Sequence, residues 1–125
     1  MAVDIDKMIE EQENTIPDDN SMEKEQYAFR LAGDGNPESV FVNKILTIGE
    51  KNQAGVNAAV LRDGLPADSF TEQSKGRQEA FGWLKVSLVQ VPKWAKELGK
   101  LKDDAVIVKL WNIVQEHELI FRGSR

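Results

Sequence analysis

Along Gln26-Tyr27-Ala28-Phe29-Arg30-Leu31 the large apolar side chains occupy every second position, the period of a strand with one buried face. Asp34-Gly35-Asn36 then supplies turn residues. A lone strand leaves its backbone N–H and C=O groups unpaired, so Tyr27 and Phe29 mark an element that must pair with another segment or with a second copy. Beyond the turn the pattern reads as helical. Asn36 suits an N-cap, Pro37 the first helical position and Glu38 the positive end of the dipole. Phe41, Ile45, Ile48, Asn52, Val56 and Ala59 follow at spacings of three and four, which draws one long helical face. Gly49 and Gly55 each weaken it by about 1 kcal/mol relative to Ala, which predicts a kink between them. In Arg62-Asp63-Gly64-Leu65-Pro66 the glycine suits a left-handed terminator, with proline just beyond.

Ser69 and Glu72 form the pattern of a capping box. Phe70, Ser74, Arg77, Phe81, Leu84, Leu88 and Val91 then alternate spacings of four and three, the seam of a helix packed on helices. Leu84-Lys85-Val86-Ser87-Leu88 also alternates as a strand would, but no turn residue separates it from Glu79-Ala80-Phe81, so the helix is extended to Pro92. Pro92 through Gly99 reads as a two-turn helix with Trp94, Ala95 and Leu98 turned inward. Asp103 or Asp104 caps a last helix whose stripe is Ile107, Leu110, Trp111, Val114 and Phe121, with Gly123 as its stop. The expected fold is mainly α: a bundle of three to four helices over residues 26–125, with one short N-terminal strand.

Charge divides the chain. The net charge is −5, from 16 basic and 21 acidic residues. Residues 1–25 hold nine acids and two bases, a charge of −7, which leaves +2 for the rest. That segment has few large apolar residues and carries Pro17-Asp18-Asp19-Asn20-Ser21, so it is read as a disordered acidic arm. A short helix near Ile5 to Gln12 would place Ile5, Met8 and Ile9 on one side. An overall negative charge argues against a dedicated nucleic-acid binder. No apolar run approaches the roughly 20 residues that span a bilayer, and the first residues lack a basic opening with an apolar stretch, so the chain is read as cytoplasmic. The absence of Cys and the single His exclude disulfides, thiol nucleophiles and Cys- or His-cluster metal sites.

No phosphate-binding glycine motif is present. His117 sits between Glu116 and Glu118, yet adjacent helical side chains diverge by about 100°, so neither acid faces the ring. His117 is therefore read as structural, Asp103-Asp104 as a cap, and neither enzymatic activity nor a cofactor is expected. Binding fits better. Lys75 to Lys102 contains seven bases and two acids. Trp83 and Trp111 read as core residues, whereas Trp94 lies between Lys93 and Lys96, and interfaces favour Trp. Lys93, Trp94, Lys96 and Lys100 thus form a candidate contact surface for an acidic protein segment, including residues 1–25 of the same or a neighbouring copy. Single-stranded nucleic acid is the less favoured ligand.

One resemblance runs from residue 27 to residue 123. An acidic leader, Tyr27-Ala28-Phe29-Arg30-Leu31, Leu61-Arg62-Asp63-Gly64-Leu65-Pro66, Phe81-x-Trp83-Leu84, Pro92-Lys93-Trp94 and Leu110-Trp111-x-x-Val114-x-x-His117-Glu118-x-x-Phe121-Arg122-Gly123 follow in order. This order resembles the tail assembly chaperones of long-tailed phages. The resemblance implies a small, mostly helical, non-enzymatic protein of the host cytoplasm. Its partner would be the tape-measure protein, held soluble while tail-tube subunits polymerise, and it would carry self-pairing surfaces. A minor virion or head-tail component is the alternative within that setting. A small regulatory or nucleic-acid-binding protein is the alternative from another class.

Overall fold

The computed structural model describes residues 15–123. It is a mixed fold, not a helical bundle. Among the described residues, a three-stranded antiparallel sheet, β1 (Gln26–Gly33), β2 (Asn36–Lys44) and β3 (Leu88–Gln90), in that spatial order, accompanies three α-helices. These are α1 (Ile48–Leu61), α2 (Glu72–Ser87) and α3 (Asp104–Gly123).

The largest correction falls on residues 36–44, expected to open a long helix. Asp34 (φ 55°) and Gly35 (φ 79°) both adopt the left-handed conformation, which makes a two-residue type I′ turn and sends the chain back alongside β1. Ser39-Val40-Phe41-Val42 then offers β-branched and aromatic side chains to a pleated surface. Pro37 is tolerated because the register shifts between Leu31 and Gly33: Pro37 and Glu38 together oppose Ala32, in a bulge where no ladder donor is needed. Phe29 pairs directly with Phe41, and their rings stack at 5.5 Å and 7°. The partner that Tyr27 and Phe29 require is thus β2 of the same chain.

Thr47, not Asn36, caps the first helix. Its hydroxyl accepts from the N–H of Glu50 at 3.2 Å, and the Glu50 carboxylate accepts from the N–H of Thr47 at 3.1 Å, a reciprocal capping box. Lys44 also contacts Glu50, and this bond, followed by that from Thr47, holds the Glu50 carboxyl below its usual range. Gly49 and Gly55 lie inside an uninterrupted α1. Its end matches the expected terminator, with Asp63 (φ 51°) and Gly64 (φ 79°) both left-handed after the C-cap Arg62.

Thr71, not Ser69, caps α2, accepting from the N–H of Ser74 at 3.2 Å. That helix stops at Ser87, and Leu88–Gln90 pairs with β2 through Val42 and Asn43. The segment read as a two-turn helix is two single 3-10 turns, Lys93–Ala95 and Leu98–Lys100, although Ala95 is buried as expected. Asp103 caps α3 by accepting from the N–H of Ala105 at 3.0 Å. The core lies where β1 and β2 meet α2 and α3, around Phe29, Phe41, Leu84, Leu110 and Val114. Burying each such side chain stabilises the fold by roughly 1.5–3 kcal/mol.

The expected helix near Ile5 to Gln12 lies outside the described residues. Residues 15–25 run against the body: Asn20 accepts from Ala28 N–H at 2.9 Å and donates to its carbonyl at 2.7 Å, and Ile45 N–H donates to the Glu25 carbonyl. Among the described residues, no helix is long and apolar enough to cross a membrane.

Candidate partner-binding groove

The α1–α2 hairpin is held by a close approach of backbones. A Cβ added at Gly82 would lie 2.5 Å from the Ala54 carbonyl oxygen and 2.9 Å from Ala58 N, so only a side chain of hydrogen fits. Ala54 and Ala58 are buried against it. Asn57 reinforces the crossing by donating to the Gly82 carbonyl at 3.2 Å. Arg62 just beyond α1 adds a bond from Nε to the Gln78 side-chain oxygen at 2.7 Å, and a groove lies beside the C-terminal end of α1.

That groove encloses about 530 Å³. Val60 and Leu61 of α1 form one wall, Phe81, Leu84 and Leu88 the floor, and Val91, Ala95 and Leu98 the other wall. Val60 is 71% exposed and Leu61 51%, so apolar surface continues onto the lip. Lys85, Lys96 and Glu97 supply the charge. Glu97 is paired with Lys100 at 3.0 Å, so the lysines set the local sign.

The wall of residues 91–99 is anchored by Trp94. Its indole N–H donates to the Ser39 hydroxyl at 3.0 Å, and its ring packs edge-on against Phe41 at 5.6 Å and 80°. Of the residues read as a contact surface, Trp94 is therefore half-buried and turned into the fold, while Lys93, Lys96 and Lys100 are exposed. Lys96 reaches the groove. Phe29 is buried, and Tyr27 is half-buried beside it with ring centroids 6.2 Å apart. The basic run is divided, since Lys75 pairs with Glu72 at 2.7 Å and Arg77 with Asp104 at 3.4 Å. The sequence reading missed Val60 and Leu61, which lie off the stripe it drew. The adjacent pair just before a helix terminator was the available signal.

The chain matches no family model, no curated protein and no solved structure.

His117 has another task. It is fully buried, with Nδ1 2.8 Å from the Asn43 amide nitrogen and Nε2 2.7 Å from the Lys24 carbonyl oxygen. A carbonyl only accepts, so Nε2 carries the proton and Nδ1 accepts from Asn43. Both ring nitrogens are thus occupied in tying β2 and the segment before β1 to α3. Burial pushes its pKa down, against the opposing pull of the Lys24 carbonyl and the Glu118 charge. Glu118, also buried, accepts from the Leu46 N–H at 3.1 Å and from Arg122 at 2.8 and 2.9 Å. Trp83 and Trp111 pack edge to face at 6.1 Å. Among the described residues, no three His, Asp or Glu side chains gather as metal ligands would.

Proposed function

We propose that the chain is a non-enzymatic binding protein that receives an apolar helical segment of another protein in the groove between α1, α2 and residues 91–99. The observation that carries this reading is an apolar groove of about 530 Å³ that opens onto exposed Val60 and Leu61. Grooves of this kind accept the anchors of an amphipathic helix at spacings of three and four. Lys85 and Lys96 at the groove favour a segment flanked by acidic residues. The order of features that resembles tail assembly chaperones favours a specific partner, the tape-measure protein of a long-tailed phage, bound in the host cytoplasm during tail assembly.

Co-expression with the tape-measure protein of a long-tailed phage tests the proposal. The expected result is a soluble complex that Val60→Glu with Leu61→Glu abolishes while the circular dichroism of the chain is unchanged. A complex indifferent to those substitutions overturns the groove assignment. Stoichiometric recovery of the chain from purified virions overturns the chaperone role and favours a virion component.

A further inference from the structure

Among the described residues, β1 is an edge strand, paired on one side only, with β2. Ile45 N–H donates to the Glu25 carbonyl at 2.8 Å. From that bond the alternation of an antiparallel ladder turns the backbone groups of Tyr27, Phe29 and Leu31 toward β2 and those of Gln26, Ala28 and Arg30 outward. The outward groups of Ala28 meet the Asn20 side chain, which accepts from the N–H at 2.9 Å and donates to the carbonyl at 2.7 Å. Two residues exchange the same pair of bonds at a hydrogen-bonded position between antiparallel strands. The amide of Asn20 thus stands where the peptide group of a further strand would lie. Two turns hold it there, with Asn20 N–H donating to the Pro17 carbonyl and Lys24 N–H to the Ser21 carbonyl, each at 3.1 Å. The segment is fastened again beyond the turns, by the Lys24 carbonyl to His117 and the Glu25 carbonyl to Ile45, so its course does not rest on Asn20 alone.

We propose that the outer edge of β1 is a pairing surface for β1 of a second copy, and that Asn20 keeps it closed by holding the place of that strand. An open edge templates the addition of another strand, and native proteins block such edges. A second copy is the occupant that fits, because antiparallel pairing about a twofold axis is self-complementary. With Ala28 on the axis, each Ala28 N–H meets the carbonyl of the other Ala28, and Arg30 lies opposite Gln26. Arg30 is the one charged residue of β1, so this register sets no like charges against each other. No residue of β1 lines the groove beside α1, and the proposal stands whether or not that groove binds a partner.

Analytical ultracentrifugation of the full-length chain over a concentration series tests this, with circular dichroism to establish that each variant is folded. Asn20→Ala is expected to raise the mass toward double that of the native protein as concentration rises. Arg30→Pro added to Asn20→Ala returns the mass to the native value, because proline removes an outward N–H and obstructs the edge while the bonds to β2 remain. Arg30→Pro alone leaves the native mass unchanged. Asn20→Asp keeps the acceptor for Ala28 N–H and loses only the donor, so it associates less than Asn20→Ala and takes its place in the comparison if the alanine variant does not fold. A folded Asn20 variant with the native mass at every concentration overturns the proposal, as does association that Arg30→Pro leaves intact. A fall in mass with Arg30→Pro alone shows an edge already paired and overturns the closing role of Asn20.

Discussion

Asn43 on β2 donates its side-chain amide to Nδ1 of His117 on α3 across 2.8 Å, joining residues 74 positions apart. The bond exists only while the imidazole is neutral, because a protonated Nδ1 has no lone pair to offer. With the folded pKa pushed below the ordinary 6.5 by burial, the unfolded chain binds the proton first as pH falls. Stability is therefore full above about pH 6.5 and declines as pH drops from there toward the folded pKa, by about 1.4 kcal/mol for each unit separating the two. The carboxyls held low by lysine contacts, Asp19 and Glu50, have ordinary values of 3.8 and 4.5, so their loss comes at lower pH. Urea midpoints between pH 8 and pH 5 should fall in the native protein, and the slope should flatten in His117→Gln. An equal slope in both would assign the effect elsewhere.

Asp34 has two duties, a left-handed position in the hairpin turn and acceptance from the N–H groups of Lys102 and Asp103, each at 3.0 Å. It therefore stitches the β1–β2 turn to the start of α3. Asp34→Ala should destabilise the fold by about 2 kcal/mol, through two orphaned donors and a conformation that alanine disfavours. Asp34→Asn keeps the acceptor and tolerates the backbone, so it should lose less than half as much. Equilibrium denaturation of both variants checks this, and equal losses would refute the stitching role.

At Gly82 the neighbours of an added Cβ are backbone atoms of α1, which cannot rotate away. Gly82→Ala should separate the α1–α2 hairpin and destabilise it by about 1–3 kcal/mol, despite the better helix propensity of alanine. Gly76, on the same helix with open space around it, provides the control: Gly76→Ala should stabilise by up to about 1 kcal/mol. Chemical denaturation of the pair gives opposite signs if close packing governs Gly82, and the same sign if it does not.

Local chemistry was legible where it competes with nothing. The alternation at Tyr27, Phe29 and Leu31, the terminator at Asp63-Gly64 and the inward stripe of Ile107, Leu110 and Val114 all appear as read, whereas the helix expected to run to Pro92 ends at Ser87. The misreadings arose where two local rules overlapped. Asn36-Pro37-Glu38 satisfies a helix start, yet Asp34-Gly35 satisfies a hairpin turn one step earlier, and the hairpin prevails because it gives β1 the backbone partner it lacks. Residues 88–90 likewise continue a helical seam in sequence but gain ladder bonds to Val42 and Asn43 in space.

The groove shows the same division. Its lysines, its tryptophan and most of its apolar residues are visible as types in the chain, as are the acidic character of residues 1–25 and the lack of thiol chemistry. Whether Trp94 faces solvent or a core depends on Ser39 and Phe41, more than fifty residues away. Likewise, Val60 and Leu61 line a groove because α2 and residues 91–99, distant in sequence, fold beside the end of α1. Periodicity and capping act over one or two turns of chain and leave their mark in order along it. Backbone pairing, burial and the shape left between packed helices depend on atoms that meet only after the chain has closed on itself.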